Sequence, residues 1–260
     1  MILTKENYFS GEADTIYMSV SQYKQFKKCE AKGMAMLERK WETPKSTALL
    51  VGSYVDAHFE GSLDLFKAQN PDIFTIKGEL KSSYKQAEDI INRIERDKLF
   101  MEYMSGEKQV IMTGNIFGVP FKIKIDSYLP DKIVDLKIMR DFEPIYVEGK
   151  GRVSFIEAWG YDIQAAVYQE IVRQNTGKQL PFYIAAATKE TDGANIQIIK
   201  MEQSELDVCL ELMEDDVKRF ALIKNGIIEP ERCERCDYCK HTKVLTAPIS
   251  SMDLSIGGDI

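Results

Sequence analysis

The feature that most constrains the fold is the alternation of apolar residues in the middle of the chain, at residues 108–139. The segments KQVIMTG, GVPFKIKIDSYL and KIVDLKIM place an apolar residue at every second position, as half-buried strands do. Turn residues separate them at Gly114-Asn115, at Gly118 and at Pro130-Asp131. The simplest arrangement is an antiparallel meander, so the sequence predicts a sheet at its centre.

Segments with helical periodicity flank these strands on both sides. Before them, residues 19–40, 47–63 and 81–104 are predicted helices, the first interrupted near Gly33 and the second ending near Gly61. After them, residues 154–177 and 204–226 are predicted helices that enclose two further strands, PFYIAAATK and ANIQIIKM. This order predicts an α/β fold with a central mixed β-sheet flanked by helices.

The chain has 260 residues, of which 44% are hydrophobic, so it can bury one full core. We expect an N-terminal extension at residues 1–18, one domain at 19–243 that ends in a cysteine loop at 232–240, and a flexible tail at 244–260. No apolar run approaches the roughly 18 residues of a membrane span, and the N-terminus lacks a signal-peptide pattern. We therefore expect a cytoplasmic protein with no membrane partner.

The formal net charge of −7 argues against a protein that coats nucleic acid, because such proteins need a broad positive field. An enzyme can still hold DNA through a local basic surface. One stretch carries seven bases against three acids, Glu30, Glu38 and Glu42. The bases are Lys24, Lys27, Lys28, Lys32, Arg39, Lys40 and Lys45.

Two acids and a base interrupt the central apolar pattern. Asp126 ends one predicted strand, and Asp135 and Lys137 are two residues apart on the next, so their side chains share a face. Carboxylates on neighbouring strands repel each other unless a cation lies between them, and Mg²⁺ or Mn²⁺ suits an all-oxygen ligand set. The alternative is two rim carboxylates with Lys137 as a surface ion-pair partner. These three residues alone leave both interpretations open.

The order of Asp126, Asp135 and Lys137 resembles the PD-(D/E)xK nuclease motif. Downstream, Gln164 and Tyr168 have the QxxxY spacing found in RecB-type nucleases, lambda exonuclease relatives and the RecE-like exodeoxyribonuclease VIII. Upstream, SVSQYKQFKKC and LLVGSYVDAHFEG resemble the N-terminal helices of the same group. The likeness covers most of the chain, with four motifs in the family order.

The resemblance implies a restriction-endonuclease-like core and a metal-dependent phosphodiester hydrolase. In that family, metal-bound water attacks the phosphodiester in line while the motif lysine assists. The catalytic residues it implies are Asp126, Asp135, Lys137, Gln164 and Tyr168. The ligands it implies for Mg²⁺ or Mn²⁺ are Asp126, Asp135 and the Leu136 carbonyl.

The chain departs from the family pattern in the second helix. Relatives commonly carry histidine four residues after a glycine, whereas here Asp56 follows Gly52. An aspartate can replace histidine as a ligand, so Asp56 is the expected third ligand. His58 falls on another face of the helix and is expected to be exposed. Glu60 is equally compatible with a solvated or salt-bridged side chain and with a role in the site. Glu107, at a strand end, is expected to be solvated.

Five cysteines, no secretory signal and CxxC spacing favour metal ligation or reduced thiols over disulfides. Cys233, Cys236 and Cys239 follow at intervals of three, and Cys29 is the expected fourth member. Some nucleases of this superfamily have one plus three cysteines around a 4Fe-4S cluster, although with a longer last gap. Zn²⁺ or no metal is also compatible with the residues. Cys209 lies on an apolar helix face and is expected in the core.

The function implied is a DNA exonuclease that degrades linear duplex DNA in phage or prophage recombination. A 3′ single-stranded product, a single-strand annealing partner and a ring-like homo-oligomer would follow from the resemblance. A structure-specific endonuclease and a non-catalytic DNA-binding module are the alternatives, the latter disfavoured because the motif is intact. Lys122, Lys124 and Lys132 are candidate phosphate contacts, or simply solvated strand residues.

Overall fold

The computed structural model describes residues 1–44 and 46–252. Lys45 of the basic stretch and residues 253–260 of the expected tail lie outside the described residues. The helices are α1 (Gly11–Ile16), α2 (Val20–Lys28), α3 (Glu30–Leu37), α4 (Thr47–Glu60), α5 (Leu63–Gln69), α6 (Ser82–Glu95), α7 (Lys98–Tyr103), α8 (Phe155–Ala158), α9 (Tyr161–Thr176), α10 (Gln203–Glu211), α11 (Glu214–Lys224) and α12 (Asp237–His241), with a 3₁₀ turn at Pro71–Ile73. Across the described residues, no helix is both long enough and apolar enough to span a bilayer.

The strands form one four-stranded sheet and two hairpins. They are β1 (Val110–Ile116), β2 (Val119–Ile125), β3 (Ser127–Leu129), β4 (Lys132–Met139), β5 (Ile145–Val147), β6 (Gly151–Val153), β7 (Phe182–Thr188) and β8 (Ile196–Lys200). The sheet order is β3-β4-β7-β8, with β4 and β7 parallel and the other pairs antiparallel. The predicted mixed sheet is therefore confirmed.

The parallel pair requires a crossover connection, and α9 supplies it. Side chains alternate between the two faces of β4. Ile133 packs with α9 in one hydrophobic core, whereas Val134 and Leu136 pack with α4 and α6 in a second core on the other face. Asp135 lies between Val134 and Leu136 and therefore faces the α9 side. This alternation places the motif carboxylate and the QxxxY helix on the same side of the sheet.

The first predicted helix breaks at a different residue from the one expected. Gly33 lies inside α3, where an added Cβ would come within 3.1 Å of the Phe26 Cα, so this glycine permits close packing of α3 on α2. The break is at Cys29, whose backbone is extended with φ −169°. The expected break at Gly33 rested on the low helix propensity of glycine, about 1 kcal/mol below alanine, which a helix interior can tolerate.

Three further predicted helices are also divided. The 81–104 segment breaks at Asp97, which caps α7 by accepting from the Phe100 N–H at 2.9 Å. The 154–177 segment breaks at Gly160, which has a left-handed φ of 63°. The 204–226 segment breaks between α10 and α11 at residues 212–213. The hairpin of β5 and β6 and the short α12 had no predicted counterpart.

Part of the N-terminal segment, residues 8–18, packs against β2. The Met18 N–H donates to the Pro120 carbonyl at 2.8 Å, and the Lys122 N–H donates to the Met18 carbonyl at 2.9 Å. Met18 is fully buried and Tyr8 nearly so. The N-terminal segment thus forms one wall of the space beside β2.

Candidate active site

The two motif carboxylates meet at the junction of the hairpin and the sheet. Asp126 lies between β2 and β3, and Asp135 lies in the middle of β4. The Leu136 N–H donates to Asp126 Oδ2 at 2.9 Å, which holds the first carboxylate beside the second strand. The position of Asp126 therefore depends on a backbone group of β4, although Asp126 precedes β3 and the turn that leads into β4.

Asp135 is held from two directions. Gln164 Nε2 on α9 donates to Asp135 Oδ1 at 2.7 Å, and the Lys137 ammonium forms an ion pair with Asp135 Oδ2. Asp135 is 2% exposed, so its charge depends on these two partners. Burial alone would lower the pKa of Lys137, but the charges of Asp135 and Asp126 outweigh it and raise that pKa. Lys137 is therefore a cation at neutral pH.

Asp56 and Glu60, one turn apart on α4, line the same cavity as the motif residues. Burial raises the pKa of Asp56 to about 7, with Glu60 and Asp135 adding to the increase and Lys137 opposing it. Burial and the charge of Asp135 also raise the pKa of Asp126 well above its ordinary value. Several carboxyl groups thus share one site in which a full set of negative charges is unfavourable.

The cavity has a volume of about 580 Å³ and opens between the N-terminal segment, α2, α4 and the sheet. Tyr168 lines it from α9, nearly buried, and burial raises the pKa of its phenol. The structure therefore brings every predicted catalytic residue to one cavity. That set is Asp126, Asp135, Lys137, Gln164 and Tyr168, together with Leu136 and Asp56.

Lys24 and Tyr161 were not predicted from the sequence as site residues. Lys24 on α2 lines the cavity, and burial together with the charge of Lys137 lowers its pKa to about 8. Tyr161, one turn before Gln164, has the Lys137 ammonium 5.1 Å from its ring centroid. Lys24 lay in the noted basic stretch, whereas Tyr161 could have been found only from its helical spacing to Gln164.

Other bases of that stretch are paired with acids outside the cavity. Lys27 contacts Asp216 at 2.6 Å and Lys32 contacts Asp237 at 2.5 Å. Lys40 contacts Glu38 at 2.7 Å. None of these three lysines lines the cavity, whereas Lys24 does.

Several other candidates also lie away from the site. His58 Nε2 contacts Glu95 at 2.8 Å, and Glu107 pairs through its backbone with Tyr128. Lys122, by contrast, lines the cavity, but it is 1% exposed and contacts Asp14 at 2.7 Å, so it is a buried ion-pair partner rather than a solvated strand residue. Lys132 contacts its neighbour Asp131 at 3.1 Å. Cys209 packs at the edge of the core, as expected.

The carboxylates fit a hard divalent cation by their chemistry, since every donor is oxygen. Only the four clustered cysteines, among the described residues, bring three or more acid, thiol or imidazole ligand atoms within 4.8 Å of one another. The carboxylate site is therefore wider than the thiol site. Mg²⁺ keeps several of its waters and needs only one or two carboxylates, which suits such a site.

The four cysteines meet at the opposite end of α2. The Sγ atoms of Cys29 and Cys239 are 3.6 Å apart, and those of Cys233 and Cys239 are 4.0 Å apart. Cys29 and Cys239 are buried, and Cys236 completes the group. The loop thus brings together the one-plus-three set that the sequence suggested.

Comparison with known proteins agrees with this geometry. Residues 19–242 match the family model described as "PDDEXK-like domain of unknown function (DUF3799)". A crystal structure described as "Putative exonuclease" from Eubacterium rectale has a TM-score of 0.94 and 57% identity, covering 99% of this chain and 99% of that chain. A structure of SSO0001 has a TM-score of 0.28 and 11% identity over 77% of this chain and 85% of that chain, too little likeness to carry an argument. No curated protein matches the chain significantly.

The matched segment contains all four motifs on which the resemblance rests, and it covers most of the chain. The resemblance found in the sequence is confirmed, and the chain belongs to the PDDEXK-like family DUF3799.

Proposed function

We propose that this protein is a metal-dependent deoxyribonuclease that acts as an exonuclease on linear duplex DNA. The observation that carries the proposal is the doubly held Asp135, with Gln164 on one oxygen and Lys137 on the other, at the base of an open cavity. The name of the 57% identical relative, "Putative exonuclease", supports the same activity.

Asp126, Asp135 and Asp56 would hold the divalent cation, with the Leu136 carbonyl as the further ligand implied by the family motif. Bound there, Mg²⁺ or Mn²⁺ supplies Lewis acidity toward a phosphate oxygen and lowers the pKa of water. The raised pKa values of Asp56 and Asp126 show that their ionised forms are unfavourable without a cation, so a bound divalent cation would stabilise these carboxylates.

Lys137 supplies positive charge where a phosphodiester gains negative charge during hydrolysis. Its ammonium is held between Asp135 and the ring of Tyr161, so its position is fixed before substrate arrives. Gln164 keeps Asp135 oriented, and Tyr168 closes the cavity wall beside it. Preorganised charge of this kind lowers a barrier without rearrangement during the reaction.

DNA would approach through the mouth of the cavity, where Lys24 and Lys124 provide positive charge. Lys124 is partly exposed, contacts Glu60 at 4.0 Å and lies 4.8 Å from the ring of Phe9, which is 68% exposed. A cationic group beside an exposed aromatic ring suits a DNA strand, because the ammonium can pair with a phosphate and the ring can stack on a base.

The test is digestion of matched linear and covalently closed duplex DNA in Mg²⁺, by wild type, Asp135→Asn and Lys137→Met. Asp131→Asn, a carboxylate on the exposed turn before β4, is the control. We expect loss of linear DNA from its ends, no cutting of the circle, and at least a 100-fold loss in both site variants. Equal activity of the site variants would refute the assignment of the site.

Nicking of the circle would instead identify the structure-specific endonuclease. Binding of DNA without cleavage in Mg²⁺ or Mn²⁺ would identify the non-catalytic module. End-labelled substrates would reveal polarity, and we expect a 3′ overhang that a single-strand annealing partner in phage-type recombination could use. Sedimentation with and without DNA would test the expected homo-oligomer.

A further inference from the structure

The four-cysteine cluster is not used by the proposed hydrolysis, and it lies at the far end of α2 from the cavity. We propose that Cys29, Cys233, Cys236 and Cys239 bind a single tetrahedral Zn²⁺ ion rather than a 4Fe-4S cluster. This inference rests on the spacing of the thiols and is independent of the proposed nuclease function.

The distances between sulfur atoms distinguish the two kinds of centre. One Zn²⁺ with bonds of about 2.3 Å places its four thiolates about 3.8 Å apart in a tetrahedron. The Cys29–Cys239 and Cys233–Cys239 distances of 3.6 and 4.0 Å bracket that value. All four sulfur atoms lie within 4.8 Å of one another, so a shift of about one ångström or less completes the tetrahedron.

A four-iron cluster needs a larger space. Each of its cysteines binds a different iron, so two Fe–S bonds and an iron–iron separation lie between any two thiolates. The thiols here are too close together for that arrangement without opening the loop. The short last gap in CERCDYC also favours a single ion over a four-iron cluster, because it brings Cys239 close to Cys233.

The loop also has the hydrogen bonds that thiolate ligands need. The Cys236 N–H donates to Cys233 Sγ and the Cys239 N–H donates to Cys236 Sγ, each at 3.4 Å. Such donors stabilise the negative charge of a thiolate and fix the direction of its sulfur. Soft thiolates in a tetrahedral set select Zn²⁺ over the hard cations suited to the carboxylates.

Three ion pairs hold α3, α11 and the loop together. Arg219 contacts Glu30 at 2.5 Å and Glu231 at 2.8 Å, and Lys32 contacts Asp237 at 2.5 Å. The Ala31 N–H donates to the Glu231 carbonyl at 2.9 Å. The break between α2 and α3 places Cys29 at the centre of this contact, which explains why the chain is extended there.

Four protein ligands leave no open position, so the ion would be structural. It would join the C-terminal loop to α2, the helix that carries Lys24 into the cavity. The ion would thus fix one wall of the cavity without taking part in the chemistry.

The experiment uses the full chain, purified without a histidine tag and under anaerobic conditions. Zinc, iron and acid-labile sulfide are measured per chain, together with the visible absorption spectrum. We expect one zinc per chain, no iron or sulfide, and no visible band. Replacement by Co²⁺ should give the absorption bands of a tetrahedral thiolate site. Four irons with sulfide, or metal-free protein with four titratable thiols or disulfides, would overturn the proposal.

Variants locate the ion. Cys236→Ser should lose stoichiometric zinc, whereas Cys209→Ser, a partly buried cysteine outside the cluster, should keep it. Asp135→Asn should also keep it, which separates this ion from the carboxylate site and from any failure of the nuclease assignment. If Cys236→Ser does not fold, release of zinc from the wild type by a thiol-modifying mercurial supplies the same answer. Zinc retained after complete thiol modification would overturn the assignment.

Discussion

Gln164 Nε2 donates a hydrogen bond of 2.7 Å to Asp135 Oδ1, linking the first turn of α9 to the middle of β4. The residues are far apart in sequence, and Asp135 is almost completely buried. The amide fixes the orientation of this carboxylate, the proposed metal ligand, before any substrate binds.

Replacement of Gln164 by alanine should therefore impair the site without unfolding the protein. We expect a loss of about 10- to 100-fold in Mg²⁺-dependent activity or metal affinity, as for other residues that orient ligands. Gln174→Ala is the matched control, since Gln174 is on the same helix and bonds Asn115 outside the cavity. Similar losses of activity in both variants would contradict a specific role for Gln164.

The raised pKa of Asp56 predicts how stability depends on pH in buffer without divalent cations. Its folded pKa of about 7 exceeds its ordinary value of 3.8, so the folded chain retains a proton that the unfolded chain releases between these values. The contribution of this group to the free energy of unfolding therefore falls as pH rises from about 4 to 7.

Asp56→Asn should remove that dependence. We expect the variant to be more stable than wild type at pH 8 by up to about 4 kcal/mol, and equal to it at pH 4. Urea unfolding at both pH values measures the difference. A variant that is less stable at pH 8 would show that the ionised carboxylate has stabilising contacts.

Lys122 and Lys124 lie on the same face of β2 but should act differently. Lys122 is buried and donates to Asp14, so Lys122→Met should destabilise the fold by about 2 kcal/mol. Lys124 lines the same cavity but is partly exposed, so Lys124→Met should weaken DNA binding with little effect on stability. Thermal unfolding and DNA-binding titrations separate the two effects, and the opposite pattern would contradict these assignments.

Two helical glycines provide a test of packing. Gly33→Ala would place a Cβ 3.1 Å from the Phe26 backbone, and we expect a net destabilisation of about 1 kcal/mol despite better helix propensity. Gly52→Ala would place its Cβ 3.9 Å from Ile138, an ordinary contact, so we expect stabilisation of up to about 1 kcal/mol. Denaturant midpoints of the two variants measure both, and an equal response would contradict the close packing of α2 and α3.

Much of the fold could be predicted because periodicity is local. The alternation in β2 and β4 and the stripe in α6 identify strands and helix from neighbouring residues alone. Breaks within helices were less visible. Cys29 interrupts a helical pattern where tertiary contacts, rather than propensity, decide the backbone.

The sequence by itself determined the type of sheet, the motif of Asp126, Asp135 and Lys137, and the family to which they belong. Only the tertiary structure decided which other groups lie near them, because the packing of α2 brings Lys24 to the cavity and the packing of α9 brings the Tyr161 ring to Lys137. It also decided the spacing of the four thiols. Periodicity fixes which face a side chain occupies, whereas distances between atoms far apart in the chain depend on how whole elements pack.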